Sequence, residues 1–542
     1  MRRLIAAILT MSMLFVLAAC GASTPDAESV PAAEEQSAEP TAAELLSVAE
    51  RAEDWVYLTE APDRDGNSVE IPACYTLTKV PYCTNPLDAE VQFIDIYVPA
   101  AYMKSATDAD GNAIFVIDPD GSVTTEAGTS YTAETAPVIL QNSIDAYKQS
   151  DPISLGDARR GGGVGTYADF IKSGYVLVSL ACRGSNSKVD GYAPASIVDM
   201  KAAVRLLKAN DEILAGDMNK IIATGGSAGG GMACLLGASG NSELYFPYLE
   251  EAGAIMDSTD DIYAVAAYCP ITNLDVGDAA YEWLHSSETH LAPVNHGNGS
   301  EPAENAPSTM EGEFSDFQLA LQAKLLEKYD EYLLLVGLDP QEFYDGFLSE
   351  INACISNYMD LYVDDPAAFA EEFSYLGFDG ETVVAVDVPT FVSNSMARAK
   401  GCPSFDTLYL GSNENKLFHK THFSAMVLEV LKELQSEYTD AASYVLRYEP
   451  AGDEDKIALV KIMSPDTFMT GEAESDIAPN WRFRIGTNDG DLGASTAWLM
   501  TQLLGKMDGV KTVDYALVWG KPHGTADYSF DNIREYIDSI CG

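Results

Sequence analysis

Basic side chains are scarce in this chain of 542 residues: 32 Lys and Arg stand against 83 Asp and Glu, a formal net charge of −51. A surface of that sign cannot neutralise phosphates, so nucleic acids and anionic membrane faces are excluded as partners. Cysteine is sparse too. Nine in the whole sequence are too few for a disulfide framework at this length. Histidine is rarer still, with six at positions 285, 290, 296, 419, 422 and 523, so any imidazole chemistry has few places to sit. No internal repeat is present. The apolar share of 47% is ordinary and supplies a full core.

The one long apolar run is Leu4 to Leu17, which follows Arg2-Arg3. It is too short for a spanning helix and has the layout of a signal segment. It closes in Leu17-Ala18-Ala19-Cys20-Gly21, which resembles a bacterial lipobox. That resemblance implies lipidation at Cys20, which closes a signal peptide over residues 1–20 and becomes the mature N-terminus once the residues before it are removed, and an exported protein held at the outer face of the cell membrane only by that lipid. A plain secretory signal would export the chain as well. Residues 21–50 are rich in Ala, Ser, Pro and Glu and read as a disordered acidic tether. Of the other cysteines, Cys182, Cys234 and Cys269 lie in apolar runs and read as buried small hydrophobes. Cys74 with Cys83 is the one pair that invites a disulfide test.

From residue 51 the pattern is that of alternating strands and helices. Tyr175 to Ala181 is a continuous apolar run of the kind buried on both faces of a parallel sheet. Ala195 to Leu207 has helical periodicity, and Ile262 to Tyr268 is another apolar strand. The alternation stops near 274 and resumes at Trp481. These signals predict an α/β class protein with a mostly parallel sheet. Its parts would be a first section over 51–274, an inserted, mainly helical lid domain over 275–478, and a closing section over 479–542.

Between the periodic helix and Ile262 lies Lys220-Ile221-Ile222-Ala223-Thr224-Gly225-Gly226-Ser227-Ala228-Gly229. Strand, glycine-rich turn and small-residue helix follow one another, with Gly225, Ser227 and Gly229 in the G-x-S-x-G spacing of the α/β-hydrolase nucleophile elbow. A glycine-rich turn with a surface serine would give the same five residues, so the partners decide. In α/β-hydrolases the acid and then the histidine follow the serine, each at the end of a late strand. Trp481 to Ile485 runs into Gly486-Thr487-Asn488-Asp489-Gly490-Asp491, and Thr512 to Trp519 runs into Gly520-Lys521-Pro522-His523. The expected set is Ser227 as nucleophile, His523 as general acid/base and Asp489 as the carboxylate that orients it. The oxyanion hole is expected from the backbone N–H of Ala228 with Ser143 or Ile144. This chemistry calls for no cofactor and no metal. Glu282 with His285, and His419 with His422, have metal-ligand spacings but read as surface or lid histidines.

With these residues placed, the chain resembles the bacterial tannase family of α/β-hydrolases, those with a large lid and a galloyl pocket. The resemblance rests on SLACRGSNSKVDGYAPASIVDMKAAVRLLK, the elbow, AVAAYCPITNLD, FDTLYLGSNENKLF, WRFRIGTNDGD and VDYALVWGKPHGTADY, and covers most of 90–540. It implies galloyl recognition by a lysine and a glutamate from the lid and by a second aspartate, here Lys400, Glu414 and Asp491. Three phenolic hydroxyls can donate to carboxylates and accept from an ammonium. The chain lacks the Cys-Ser-Asp and His-Cys pattern of fungal tannases and feruloyl esterases. The resulting expectation is an extracytoplasmic serine carboxylesterase cleaving galloyl or related phenolic esters through an acyl-enzyme. Feruloyl or acetyl esterase or serine peptidase activity on the same triad is the alternative. A ligand-binding surface lipoprotein on an inactive scaffold is the reading from another class.

Overall fold

The structure is a computed structural model and describes residues 40–159, 164–291 and 312–542. Cys20, the signal segment and His296 lie outside the described residues. Nine strands make one sheet: β1 (Val56–Pro62), β2 (Ser68–Pro81), β3 (Phe93–Pro99), β4 (Val138–Asn142), β5 (Val176–Ala181), β6 (Ile221–Gly226), β7 (Ala264–Tyr268), β8 (Asn480–Asn488) and β9 (Thr512–Pro522). Their spatial order is β1-β2-β3-β5-β4-β6-β7-β8-β9. The first three pair antiparallel with one another, and β3 pairs antiparallel with β5; every pairing from β5 to β9 is parallel. β4 through β7 are buried along nearly their whole length. That is why they read as unbroken apolar runs rather than alternating ones. This is the α/β-hydrolase fold.

Two helices cover the first half of the sheet. α1 (Ala195–Ala209) joins β5 to β6, and α2 (Ala228–Ala238) starts immediately after the glycine turn. α2 is rich in Gly and Ala and wholly buried, so its backbone lies close to the sheet: a Cβ on Gly237 would stand 2.3 Å from Val265. The stretch 41–50, expected as the end of a disordered tether, is instead ordered. It carries a short helix over Ala42–Leu45 capped by Thr41, and Leu46 and Val48 are buried. The Val48 N–H donates to Asn210 at 2.8 Å.

Residues 275–478 fall between β7 and β8 and are mainly helical. The long helices α3 (Asp316–Leu335) and α4 (Pro340–Tyr362) belong here, as does the short α5 (Asn413–Leu417). They pack with the sheet into one unit spanning Thr41–Gly542. Trp283, Phe343, Phe347 and Trp498 form an aromatic cluster at that junction, and the Trp498 indole donates to the Phe343 carbonyl at 3.0 Å. No helix among the described residues is long and apolar enough to cross a membrane. Cys74 and Cys83 are both buried free thiols.

Beneath the parallel half of the sheet lies a buried charge network. Arg482 is fully buried and donates to Asp527 at 2.5 Å; Tyr268 donates to the other oxygen of Asp527, also at 2.5 Å, and Arg159 donates to the Tyr268 hydroxyl at 2.9 Å. Asp527 lies four residues beyond His523, so the network ties that loop to the strands. Removing one member strands a buried cation. Asp527→Ala is expected to lower folding stability by roughly 3–5 kcal/mol, read from the urea midpoint at constant m. An unchanged midpoint would show the pair to be dispensable.

Candidate active site

The site assembles at the carboxyl ends of neighbouring parallel strands, where open α/β sheets place their ligand crevices. Ser227 follows β6, Cys269 follows β7, Asp489 follows β8 and His523 follows β9. The Ser227 backbone has φ 59° and ψ −128°, a strained conformation for a residue with a Cβ. Its N–H donates to the Tyr268 carbonyl at 3.0 Å and its carbonyl accepts from Ile271 N–H at 3.1 Å. The two flanking glycines are needed for clearance. A Cβ on Gly225 would lie 2.6 Å from the Gly229 carbonyl oxygen, and one on Gly229 would lie 2.4 Å from Asn142 Oδ1.

His523 Nδ1 is 2.9 Å from Asp489 Oδ2; Asp489 is almost fully buried, while the imidazole keeps 29% of its side-chain surface open. Ser227 Oγ and His523 share no hydrogen bond here, as is common before substrate tightens a site. What holds the histidine loop against the elbow is Cys269. Its sulfur accepts from Gly524 N–H at 3.0 Å and its thiol donates to the Gly524 carbonyl at 3.1 Å. Burial alone would lower the His523 pKa. The neighbouring Cys269 sulfur and the Asp489 carboxylate outweigh burial and carry it well above its ordinary 6.5.

The expected oxyanion donors differ in their freedom. Ala228 is the first residue of α2, where a backbone N–H has no partner within the helix. Ser143 N–H, by contrast, donates to Ser150 Oγ at 2.9 Å, and Ile144 N–H to Asn142 Oδ1 at 3.3 Å. The serine of that pair is therefore already satisfied inside the protein, a correction to the expected pair. Only the longer Ile144 bond is weak enough to be exchanged.

Lys400, Glu414 and Asp491 come together although they are far apart in sequence. Lys400 Nζ is 3.5 Å from Asp491 Oδ1, with about a quarter of each side chain exposed. Burial would lower the Lys400 pKa, but Asp491, Glu414 and Asp489 raise it. Burial lifts Glu414 against the opposing pull of Lys400, while Lys400 and His523 overcome burial to hold Asp491 below the usual carboxylate range. The segment between β7 and β8 positions Lys400 and Glu414 through a dense set of bonds. The Tyr281 hydroxyl accepts from Ala399 and Lys400 N–H at 2.9 and 3.0 Å and donates to the Gly490 carbonyl at 2.9 Å. Arg398, paired with buried Glu282, donates to the Lys400 carbonyl at 2.7 Å. Glu414 is carried by α5, capped by Ser412, which donates to the Phe405 carbonyl at 2.5 Å.

Sequence reasoning missed two residues. Tyr147 is buried, lies in the left-handed region at φ 56°, and feels the charges of Glu414 and Asp491. Its hydroxyl donates at 2.7 Å to the carbonyl of Ile271, the residue that also bonds Ser227. Cys269 was read as a core hydrophobe. It is buried, but at the site, and the signal for that was its place one residue beyond a parallel strand. Two of the histidines outside the site, His285 and His422, are buried in structural pairs. His285 Nδ1 meets Glu288 at 2.7 Å, and His422 Nδ1 meets Asp406 at 2.7 Å beneath a stacked Tyr448.

Comparison with known proteins agrees with this fold. The BD-FAE family model matches residues 155–305. No curated protein sequence matches. Among solved structures, tannase from Lactobacillus plantarum superposes with a TM-score of 0.71 at 27% identity, covering 92% of this chain and 100% of that one. Fusobacterium nucleatum tannase gives 0.69 at 27% identity over 90% of this chain and 98% of its own. A tannin acyl hydrolase in complex with ethyl gallate gives 0.68 at 27% identity over 92% and 100%. The chain is a tannase-like carboxylic ester hydrolase of the α/β-hydrolase fold.

Proposed function

We propose that the protein hydrolyses galloyl and related phenolic esters through an acyl-enzyme, outside the cytoplasm, held by a lipid on Cys20. Ser227 attacks the ester carbonyl, His523 Nε2 takes its proton and returns it to the leaving alcohol, and Asp489 holds the imidazolium. Ala228 N–H, with Ile144 N–H once released from Asn142, stabilises the oxyanion, each donor worth roughly 3 kcal/mol of barrier. The single observation that carries the substrate reading is the grouping of Lys400 with Asp491, 3.5 Å away, and with Glu414 and Asp489, whose charges it feels. An ammonium grouped with carboxylates is complementary to adjacent phenolic hydroxyls, which both donate and accept. The solved complex of a tannin acyl hydrolase with ethyl gallate supports the same ligand class.

The test is hydrolysis of methyl gallate, methyl ferulate and p-nitrophenyl acetate side by side. The parent is expected to prefer gallate. Asp491→Asn and Lys400→Met are each expected to cut kcat/KM for gallate by about 10–100-fold while acetate hydrolysis falls far less, since one hydroxyl contact is worth roughly 1–3 kcal/mol. A parent that favours ferulate or acetate would remove the galloyl assignment and leave a serine esterase. Ser227→Ala is expected to lower kcat by about 10⁶-fold, and a variant as active as the parent would refute the triad.

The pH profile tests His523 on its own. The base must be neutral, so activity is lost as pH falls through its pKa. Because that pKa is raised, the acid limb of kcat/KM is expected above 6.5. Asp489→Asn removes the opposing charge. It should move the limb to lower pH and reduce kcat by about 10⁴-fold. A limb that stays in place would mean another group controls it.

A further inference from the structure

Beyond its bonds to Gly524, the Cys269 sulfur stands beside Asp489 and His523, where the proposed ester chemistry gives it no part. One ligand atom each from Cys269, Asp489 and His523 lie within 4.8 Å of one another, the only such set among the described residues. Thiolate, imidazole and carboxylate are together the donors that suit Zn²⁺ and Cd²⁺, and three protein ligands with one open position are the usual arrangement for an accessible zinc site. Of the three, Cys269 and Asp489 are buried, and the His523 ring keeps 29% of its side-chain surface exposed, the side from which a cation would enter. The sulfur is also prepared for charge. The Gly524 N–H already points at it from 3.0 Å, the kind of second contact that orients and stabilises a ligating thiolate.

We propose that Cys269, Asp489 and His523 form a binding site for a thiophilic divalent cation, at which Zn²⁺ or Cd²⁺ reversibly switches the enzyme off. The cation bonds the Cys269 sulfur, an Asp489 oxygen and His523 Nδ1, the nitrogen that faces Asp489 at 2.9 Å. The thiol proton leaves to solvent, ending the thiol's donation to the Gly524 carbonyl. The Nδ1 proton shared with Asp489 is replaced by the metal and moves to Nε2. The two negative ligands balance the two charges of the cation. An imidazole protonated on Nε2 and metallated on Nδ1 has no lone pair left for the serine proton, so the base is consumed without any change at Ser227. Water or a substrate oxygen completes the tetrahedron.

The metal-binding step stands apart from the reading of the ester reaction; only the inhibition rests on it. The first measurement therefore uses the full chain carrying Ser227→Ala, which needs no activity. Titration with Cd²⁺ is expected to give one equivalent with an ultraviolet sulfur-to-metal charge-transfer band, and Ser227→Ala with Cys269→Ser is expected to lose the band. The second measurement uses the parent with an ester substrate. Zn²⁺ is expected to inhibit and a chelator to restore the rate, while Cys269→Ser, compared with its own metal-free rate, should need about tenfold more Zn²⁺ or beyond. Circular dichroism of Cys269→Ser checks that it folds, and Cys269→Ala offers a second substitution if it does not. A parent without the band, or an equal band in the cysteine variant, would overturn the site. A band with no inhibition would overturn the switch. If the parent hydrolyses no ester but the band follows Cys269, the metal site stands and the reading of the reaction fails.

Discussion

The backbone of Ser227, held at φ 59° and ψ −128°, is the constraint on which the rest of the structure depends. Such a conformation costs about 1–3 kcal/mol and persists only where its surroundings over-determine it. Here they do. The Ser227 N–H and carbonyl are both bonded to the segment after β7, through Tyr268 and Ile271. Gly225 and Gly229 admit the close approach of strand, helix and Asn142. Asn142 in turn donates to the carbonyls of Thr224 and Gly229 at 3.2 and 3.1 Å, closing the elbow from the β4 side. The two strands that hold the serine also carry Cys269 and Ile144 just beyond their ends. The end of β7 thus holds a second part of the site, since Cys269 grips Gly524 beside the histidine.

The second requirement is register between the inserted segment and the sheet, because Lys400 and Glu414 belong to one and Asp489 and Asp491 to the other. Tyr281 supplies it. A phenolic hydroxyl can donate once and accept twice, and this one uses all of that capacity: the N–H groups of Ala399 and Lys400 and the Gly490 carbonyl between the two aspartates. Asp278 and Asp406 do similar work behind it. Asp278 accepts the N–H groups of Ser404, Phe405 and Asp406, and burial with the charge of Asp406 pushes its carboxyl up to about 7. These are buried polar groups whose partners are mostly main chain, so they fix loop shape rather than add net stability.

How much of this could be read from the sequence follows from what each residue's signal records. β4 to β7 were legible because burial on both faces leaves an unbroken apolar run. β1 and β2 were not, because they form the exposed end of the sheet and carry prolines. Their register also slips between Leu58 and Glu60 and between Leu77 and Val80, which destroys a period of two. Ser227, Asp489 and His523 were placed by chain order at strand ends, and the fold sets Asp489 against His523. The occupied state of Ser143 N–H could not be read, since it depends on Ser150 folding back seven residues later. The roles of Tyr147 and Cys269 were not legible for a related reason, although the position of Cys269 just beyond a strand was. Their importance lies in hydrogen bonds to main chain 124 and 255 residues away, and side-chain type alone records nothing of those.

In a chain with so few cations, where each is placed separates structural charge from charge available to a ligand. Lys201 is wholly buried, 2.7 Å from Asp260 and 2.6 Å from the Ser239 carbonyl. Arg398 and Arg482 are likewise fully buried against Glu282 and Asp527. Each of these is held in close contact by a buried carboxylate, because an unpaired buried charge is costly. Lys400 differs in the two respects that matter. Its carboxylate neighbour stands at 3.5 Å rather than in close contact, and 27% of its side chain remains open. It is surrounded by acids, Asp491, Glu414 and Asp489, more numerous than one cation can satisfy. An excess of acceptors around an incompletely paired ammonium is an unstable arrangement for a core and a suitable one for a ligand that brings its own hydroxyl protons.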